Sequence, residues 1–444
     1  MRKTINTITA SALCLAMIGL SFTGCSGTST ASTAQPVAST AASSVASAVS
    51  ETAVTQLATL ELFSTKSENK NILQSIIDDF HAQNPDITIT ITCPQDAGTV
   101  LKTRLTKNDI PDIVAMGGDA TFKELQGADV LEDLSFEPYA ASVQDSYKKM
   151  IYDVQKDKEQ KLYGVPYATN ASGVLYNVDM FKEAGVEVPK TWDEFLAACK
   201  KFQGAGKTPF ELTLKDSWCC LPPWNSMAPD LQLSSFTDDR MAKKTTFAAT
   251  HQEVAQKYLE LLKYAQKDYM GTTYADGNKA FAEGKAAMMI NGNWAISEFK
   301  KTNKDFKVDL FAFPASNDTS KNYVTSGVDV LFGINKDSKA KDAAKKFVSF
   351  MMEKTTAQKY IKDQFAFSAI KGVEQEDSTV AGVKADIGSG KVANFPDHYY
   401  PSGFDLASLA QNFAKNAAAN MDATKNIADF LKQCDEKYDT ANVG

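Results

Sequence analysis

The composition of this chain breaks near residue 57, and the break limits where a fold can form. Residues 26 to about 56 are dominated by Ser, Thr and Ala. With so few large apolar side chains they cannot bury enough surface to offset the entropy of ordering, so residues 25–56 read as a flexible tether. Roughly thirty such residues have an r.m.s. span of about 30 Å. Ahead of the tether come Arg2 and Lys3, an apolar stretch from Ile8 to Phe22, and the small pair Thr23 and Gly24 before Cys25. A basic start, a short greasy run and small residues at the cut describe a secretory signal peptide over residues 1–24. The run is too short and too interrupted to span a membrane comfortably.

About 390 residues follow, more than one typical domain and close to two. The formal net charge of −7 is spread over mixed signs without a long basic run, which argues against nucleic acid as a partner. Apart from the signal segment and Cys25, the cysteines are Cys93, Cys199, Cys219, Cys220 and Cys434. Their number is odd, their spacing fits no zinc pattern, and a body of this size does not need disulfides. Cys199 falls on the apolar face of a predicted helix. Cys219-Cys220 is expected as two thiols, with a strained vicinal disulfide as the alternative.

The body opens with a strand-like segment, Thr59 to Phe63, and a polar turn, Ser64 to Asn69. Leu73, Ile76, Ile77 and Phe80 then recur at helical spacing, Asn84-Pro85 ends that helix, and Ile87, Ile89 and Ile91 alternate with threonines as a half-buried strand. Pro111 to Met116 reads as a further strand closed by Gly117-Gly118-Asp119. Strands alternating with helices predict an open α/β sheet, whose ligands sit where strand C-termini meet loops. Thr191 with Glu194 three residues on is a capping box, and it puts Trp192, Phe195, Leu196 and Cys199 on one helix face. Trp192 is therefore expected to be structural. Phe281 to Trp294 reads as helix end, strand, tight turn at Gly292 and new helix.

Several of these pieces, taken in order, resemble the extracellular solute-binding proteins of carbohydrate ABC importers, in the maltose- and raffinose-type group. They are Gly164-Val-Pro-Tyr167, Lys190-Thr-Trp-Asp-Glu-Phe195, Phe281 to Trp294, Ser326-Gly-Val-Asp329 and Asp397-His-Tyr-Tyr-Pro-Ser-Gly403. Phe22-Thr23-Gly24-Cys25 is similar to a bacterial lipobox with Phe in place of the usual Leu, which would make Cys25 the acylated N-terminus. The resemblance implies an α/β, two-lobed periplasmic-binding-protein-like fold of type II with a multi-crossing hinge. Residues 57–168 plus 315–366 would form one lobe and 169–314 plus 367–444 the other, with crossings near 168–172, 313–315 and 365–369. It further implies a monomeric, lipid-anchored extracytoplasmic receptor. Its partners would be an oligosaccharide, ABC permease subunits and, through the lipid, the membrane; no cofactor or metal is expected.

Sugar binding needs flat aromatic faces for the C–H side of a pyranose and polar groups for its hydroxyls. Trp294, after a Gly turn between Asn291 and Asn293, is the first candidate for stacking. Trp218 follows Lys215-Asp216 and Trp224 lies in the segment Leu221 to Asn225; of the two, Trp218 fits the family pattern better. Asp329, at a strand start, and Asp119, after two glycines, either meet ligand hydroxyls or cap backbone. Tyr167 belongs either to hinge packing or to the ligand. Asn291, Lys66 and Asn170 complete the polar set. Asp397 and His398, beside Phe395, resemble a raffinose-type clamp on a terminal α-1,6-linked unit. An exported glycosidase would also pair aromatics with carboxylates, and the same fold could hold a peptide, polyamine or metal complex. The chain has three His and no G-x-S-x-G elbow. Gly388-Ser-Gly-Lys391 lacks the first Gly and the final Ser/Thr of a phosphate loop and is expected as a turn.

Overall fold

The computed structural model describes residues 57–94, 97–155, 159–401 and 403–442. The signal segment, Cys25 and the tether lie outside them. Twelve strands are present among the described residues, in chain order β1 (Ala58–Ser64), β2 (Ile87–Thr92), β3 (Ile113–Met116), β4 (Val165–Thr169), β5 (Ser172–Asn177), β6 (Thr208–Phe210), β7 (Ala286–Gly292), β8 (Val308–Phe311), β9 (Val324–Thr325), β10 (Val328–Ile334), β11 (Phe367–Ser368) and β12 (Val392–Ala393). They form two sheets. The first runs β11-β4-β10-β3-β1-β2; the second runs β12-β9-β5-β7-β6, with β8 also on β5.

In the first sheet β1 pairs in parallel with both β2 and β3, and parallel neighbours require crossover connections. The helix Lys70–Gln83 supplies one of them, burying Ile72, Leu73, Ile76, Ile77 and Phe80 against the sheet. Asn84 ends it by donating from Nδ2 to the Phe80 carbonyl at 2.9 Å. In β2, Ile87 and Ile89 are buried while Thr88 and Thr90 are exposed, as their alternation predicts. The second sheet is covered on both faces. Val174, Met288, Ile290 and Phe311 enter one apolar cluster, and Leu175, Met289 and Leu310, their strand neighbours, enter the other. The Thr191–Glu194 capping box forms, and it starts the helix Trp192–Gly204 with Trp192 buried. All five described cysteines are free thiols.

The chain leaves the first sheet at Thr169 and enters the second at Ser172. It returns at Ser326-Gly327, because β9 is still paired with Ser172 and with β12. This corrects the expected return at 313–315. Phe313-Pro314 ends a strand, yet Phe313 and Ala315 remain in the second lobe's core. The last crossing is also later than the expected 365–369. β11 pairs with β4, Ile370 bridges to Val143, and Val373 packs in the first core. Gly382 donates to Asp309 beside β8, so by then the chain is back in the second lobe. Residues 315–325 therefore go with the second lobe and 367–373 with the first.

Asp230 is a buried charge site in the second lobe, 7% exposed. One carboxylate oxygen accepts from Tyr323 N–H at 3.1 Å, and the other has no partner. Burial pushes its pKa from 3.8 up to about 8, so the folded state holds a proton that the unfolded state releases near pH 4. Its cost to stability is absent below that pH and grows as pH rises toward 8. Asp230→Asn keeps the acceptor and removes the ionisation. It should raise the melting temperature at pH 8 and leave it nearly unchanged at pH 4, as read by calorimetry. An equal difference at both pH values would contradict this account.

Candidate functional site

Between the two lobes lies a cavity of about 510 Å³. From the first lobe come the loop after β1 (Thr65 to Glu68), Gly117 and Asp119 after β3, and Val328 and Asp329 at the start of β10. Asn170 enters from the first crossing. The second lobe contributes Trp218, Leu221, Pro222 and Asn225 from one turn and helix, Trp294 after β7, and Phe395, Asp397 and His398 from one loop. The loops after β1 and β3 lie where an open α/β sheet places ligands, at strand C-termini.

The first lobe's polar groups are bonded to one another. Lys66 Nζ donates to Asp329 Oδ1 at 2.6 Å and lies 3.5 Å from Glu68. Asn170 Nδ2 donates to the same Asp329 oxygen at 3.1 Å, while its Oδ1 accepts from Gly327 N–H at 3.0 Å. Burial disfavours the ammonium of Lys66, but the facing carboxylates of Asp329 and Glu68 outweigh it and raise its pKa. Asp119 caps the helix Ala120–Gly127, Oδ1 accepting from Thr121 and Phe122 N–H at 2.8 and 3.3 Å. Asp119 thus caps backbone and also lines the cavity.

The second lobe's wall differs. The Trp294 ring lies across Gly292, where a Cβ would sit 2.1 Å from the indole. Its Nε1 is buried without a partner. Phe395 stands 6.4 Å from Trp294 and 5.0 Å from the His398 ring, and His398 Nδ1 is also buried and unpartnered. Trp218 is 41% exposed and packs on Tyr274 at 4.8 Å. Asp397 accepts from Asn225 Nδ2 at 2.8 Å. Burial pushes its pKa up, against the opposing influence of His398 and Asn225.

Two candidates do not reach the cavity. Tyr167 is 1% exposed and wedged between Phe332 and Tyr360, each 5.1 Å away, so its place is hinge packing. Asn291 is buried in β7 and braces the turn, its Oδ1 accepting from Gly292 N–H at 3.0 Å. Trp224 is fully buried and stacked on His251. Asn225, Glu68, Leu221 and Pro222 were missed. Glu68 was open to reading in the polar turn after β1. Asn225 closes an apolar, Pro-rich segment beside Trp224, a place where a polar residue is itself a signal. Among the described residues no group of His, Cys, Asp and Glu has the makings of a metal site.

Two hinged α/β lobes with a polar, aromatic-walled cavity between them define a receptor that encloses a small solute. The chain belongs to the bacterial extracellular solute-binding protein family, whose model matches residues 65–358. It is 31% identical over 336 residues to the multiple sugar-binding protein of Streptococcus mutans, covering 72% of this chain and 77% of that one. It is 22% identical over 402 residues to the melibiose/raffinose/stachyose-binding protein MelE of Bacillus subtilis, covering 87% and 92%. Among solved structures, apo RafE of Streptococcus pneumoniae superposes with a TM-score of 0.75 at 28% identity, over 87% of this chain and 99% of that one. RafE in complex with raffinose gives the same TM-score at 27% identity, over 87% and 100%. No described helix is long and apolar enough to cross a membrane.

Gly292→Ala tests how Trp294 is placed. The added methyl must push the indole aside, at a cost of about 1–3 kcal/mol as for other overpacking changes. Tryptophan emission should shift while far-ultraviolet circular dichroism stays unchanged. An unaltered emission spectrum would mean that the ring does not rest on Gly292.

Proposed function

We propose that this chain captures an oligosaccharide for an ABC importer, with an α-1,6-linked raffinose or isomaltooligosaccharide type as its cargo. The observation that carries the reading is the pairing, in one interlobe cavity, of aromatic faces (Trp294, Trp218, Phe395) with carboxylates, an amide and a cation. Aromatic rings suit the C–H face of a pyranose, and the polar set suits its hydroxyls. The names of the S. mutans, B. subtilis and RafE relatives point to the same ligand class. Asp397 and His398, against Phe395, are assigned to the terminal sugar unit. Lys66, Asp119, Asn170 and Asp329 are assigned to the opposite wall.

A sugar touching both walls binds the closed arrangement better than the open one, and this differential contact drives closure. The permease subunits then meet the closed form. Capture is favoured over catalysis because the first lobe's charged groups are spent on each other and on a helix cap, leaving Asp329 and Asp119 poorly placed as acid or base. Cys25 is assigned as the lipid attachment point, with residues 25–56 as the tether that keeps a monomeric receptor near the membrane.

The direct test is a thermal-shift screen of the full chain with raffinose, isomaltotriose and maltotriose. A sugar at a hundredfold excess over its Kd should add about 2.7 kcal/mol of stability. Recovery of cleaved sugar would instead make the protein an enzyme, and no shift with any sugar would remove the oligosaccharide reading. Within it, Trp294→Ala should cost about 2–4 kcal/mol of binding with the fold intact; an unchanged Kd excludes Trp294 as the platform. His398→Ala should weaken raffinose and isomaltotriose more than maltotriose, and equal losses would discard the linkage assignment.

A further inference from the structure

The structure assigns to Asn225 the role of a specificity-determining residue: its amide N–H holds the Asp397 carboxylate in place, and its carbonyl oxygen accepts a hydrogen bond from a hydroxyl of the bound sugar. The inference rests on the oligosaccharide reading above and adds to it a residue and a polarity of recognition.

Asn225 is 2% exposed, yet it lines the cavity. Its Nδ2 donates to Asp397 Oδ1 at 2.8 Å, while its Oδ1 is buried and has no partner. The backbone around it is secured separately, since Thr325 Oγ1 donates to the Asn225 carbonyl at 3.3 Å. A buried carbonyl oxygen left unpaired costs about 1–3 kcal/mol, so a ligand hydroxyl that donates to it recovers what the empty site lacks. Asp397, when ionised, also only accepts. The pair therefore presents acceptors to the ligand and selects a sugar with hydroxyl donors at that place. An analogue that offers only acceptors there, such as an ether or a uronate carboxylate, is rejected, and a carboxylate meets like charge as well.

The groups facing Asp397 are few. His398 is its chain neighbour, Tyr400 lies near it, and Asp119 approaches from the opposite lobe. Lys66, Glu68 and Asp329 line the same cavity. Asn225 hydrogen-bonds the Asp397 carboxylate from another element, beside the residue's own backbone N–H.

The experiment measures Kd on the full chain at pH 5 and pH 8 for raffinose, isomaltotriose and maltotriose, with Asn225→Ala and the isosteric Asn225→Asp beside the parent. Asn225→Ala should lose roughly 10- to 100-fold in affinity at both pH values. Asn225→Asp places two carboxyls together, which share one proton at lower pH. The protonated form donates to Asp397 and keeps a free carbonyl oxygen, as the amide does. Its affinity should therefore climb by roughly tenfold or more from pH 8 to pH 5, beyond any change in the parent. Melting temperatures at both pH values separate this profile from a loss of folding. If the parent binds a sugar and Asn225→Ala stays within about twofold of it, the assignment is wrong. Equal losses for Asn225→Asp at pH 5 and pH 8 would also overturn it. A parent that binds none of the three sugars overturns the oligosaccharide reading, and this inference with it.

Discussion

The cavity is built on the pair formed by Asn170 and Gly327, the residues at which the chain crosses from lobe to lobe and back. Asn170 N–H donates to the Gly327 carbonyl at 3.3 Å, and Gly327 N–H donates to Asn170 Oδ1 at 3.0 Å. The same Asn170 side chain reaches Asp329, two residues beyond Gly327. Two consequences follow from one side chain: the two crossings are tied to each other, and the Asp329 carboxylate is held beside Lys66. A side chain at Gly327 would have to displace its neighbours, since a Cβ would lie 2.8 Å from Asn394 Oδ1 and 3.0 Å from the Phe395 ring. The loop carrying Asp397 and His398 thus packs directly on the hinge. Asn293 extends the bracing, accepting from Ala171 N–H and donating to the Phe365 carbonyl.

From that hinge the two walls diverge in chemistry. The first lobe is electrostatically closed on itself: Lys66 with Asp329 and Glu68, Asn170 with Asp329, Asp119 with its helix. The second lobe keeps its hydrogen-bonding capacity open, at Trp294 Nε1, His398 Nδ1 and Asn225 Oδ1, amid its aromatic rings. A buried donor or acceptor without a partner gains a hydrogen bond from an entering polar ligand, while groups already paired gain little, so the gain available is concentrated on the second wall. The first wall contributes charge that is already positioned.

Much of the fold was legible because its signals are local. The Ile87/Ile89/Ile91 alternation, the helical spacing from Leu73 to Phe80 and the Thr191–Glu194 box each follow from the geometry of a few residues, whereas Gly292, expected as a tight turn, is the extended last residue of β7. The hinge boundaries were less so. Phe313-Pro314 looks like an exit because proline stops a ladder, but which sheet the next segment joins depends on β9 meeting Ser172, a pairing distant in sequence. The site shows the same division. Strand ends and neighbouring glycines flagged Trp294, Asp119 and Asp329, whereas the partnership of Asn225 with Asp397 becomes visible only once the Asp397 loop meets its helix. Tyr167 and Asn291 sit in suggestive motifs, and only packing reveals that both are turned to structural ends.

The ion pair of Lys66 and Asp329 also fixes what the cavity does not do. Their side chains are 23% and 17% exposed, so closing the lobes would strip little further water from them. The facing carboxylates raise the pKa of Lys66 above its ordinary value, so its ammonium stays charged across the physiological range. An ammonium already committed to a carboxylate at 2.6 Å cannot change partners cheaply, because the released carboxylate would be left in a partly dry cavity. The first wall is therefore a rigid template. In the proposed reading, recognition that depends on adjusting hydrogen bonds falls to Asn225 and to the loop of Asp397 and His398, the loop that packs against the hinge at Gly327. The groups with capacity to respond to a solute are thus those best placed to pass that response to the crossing strands.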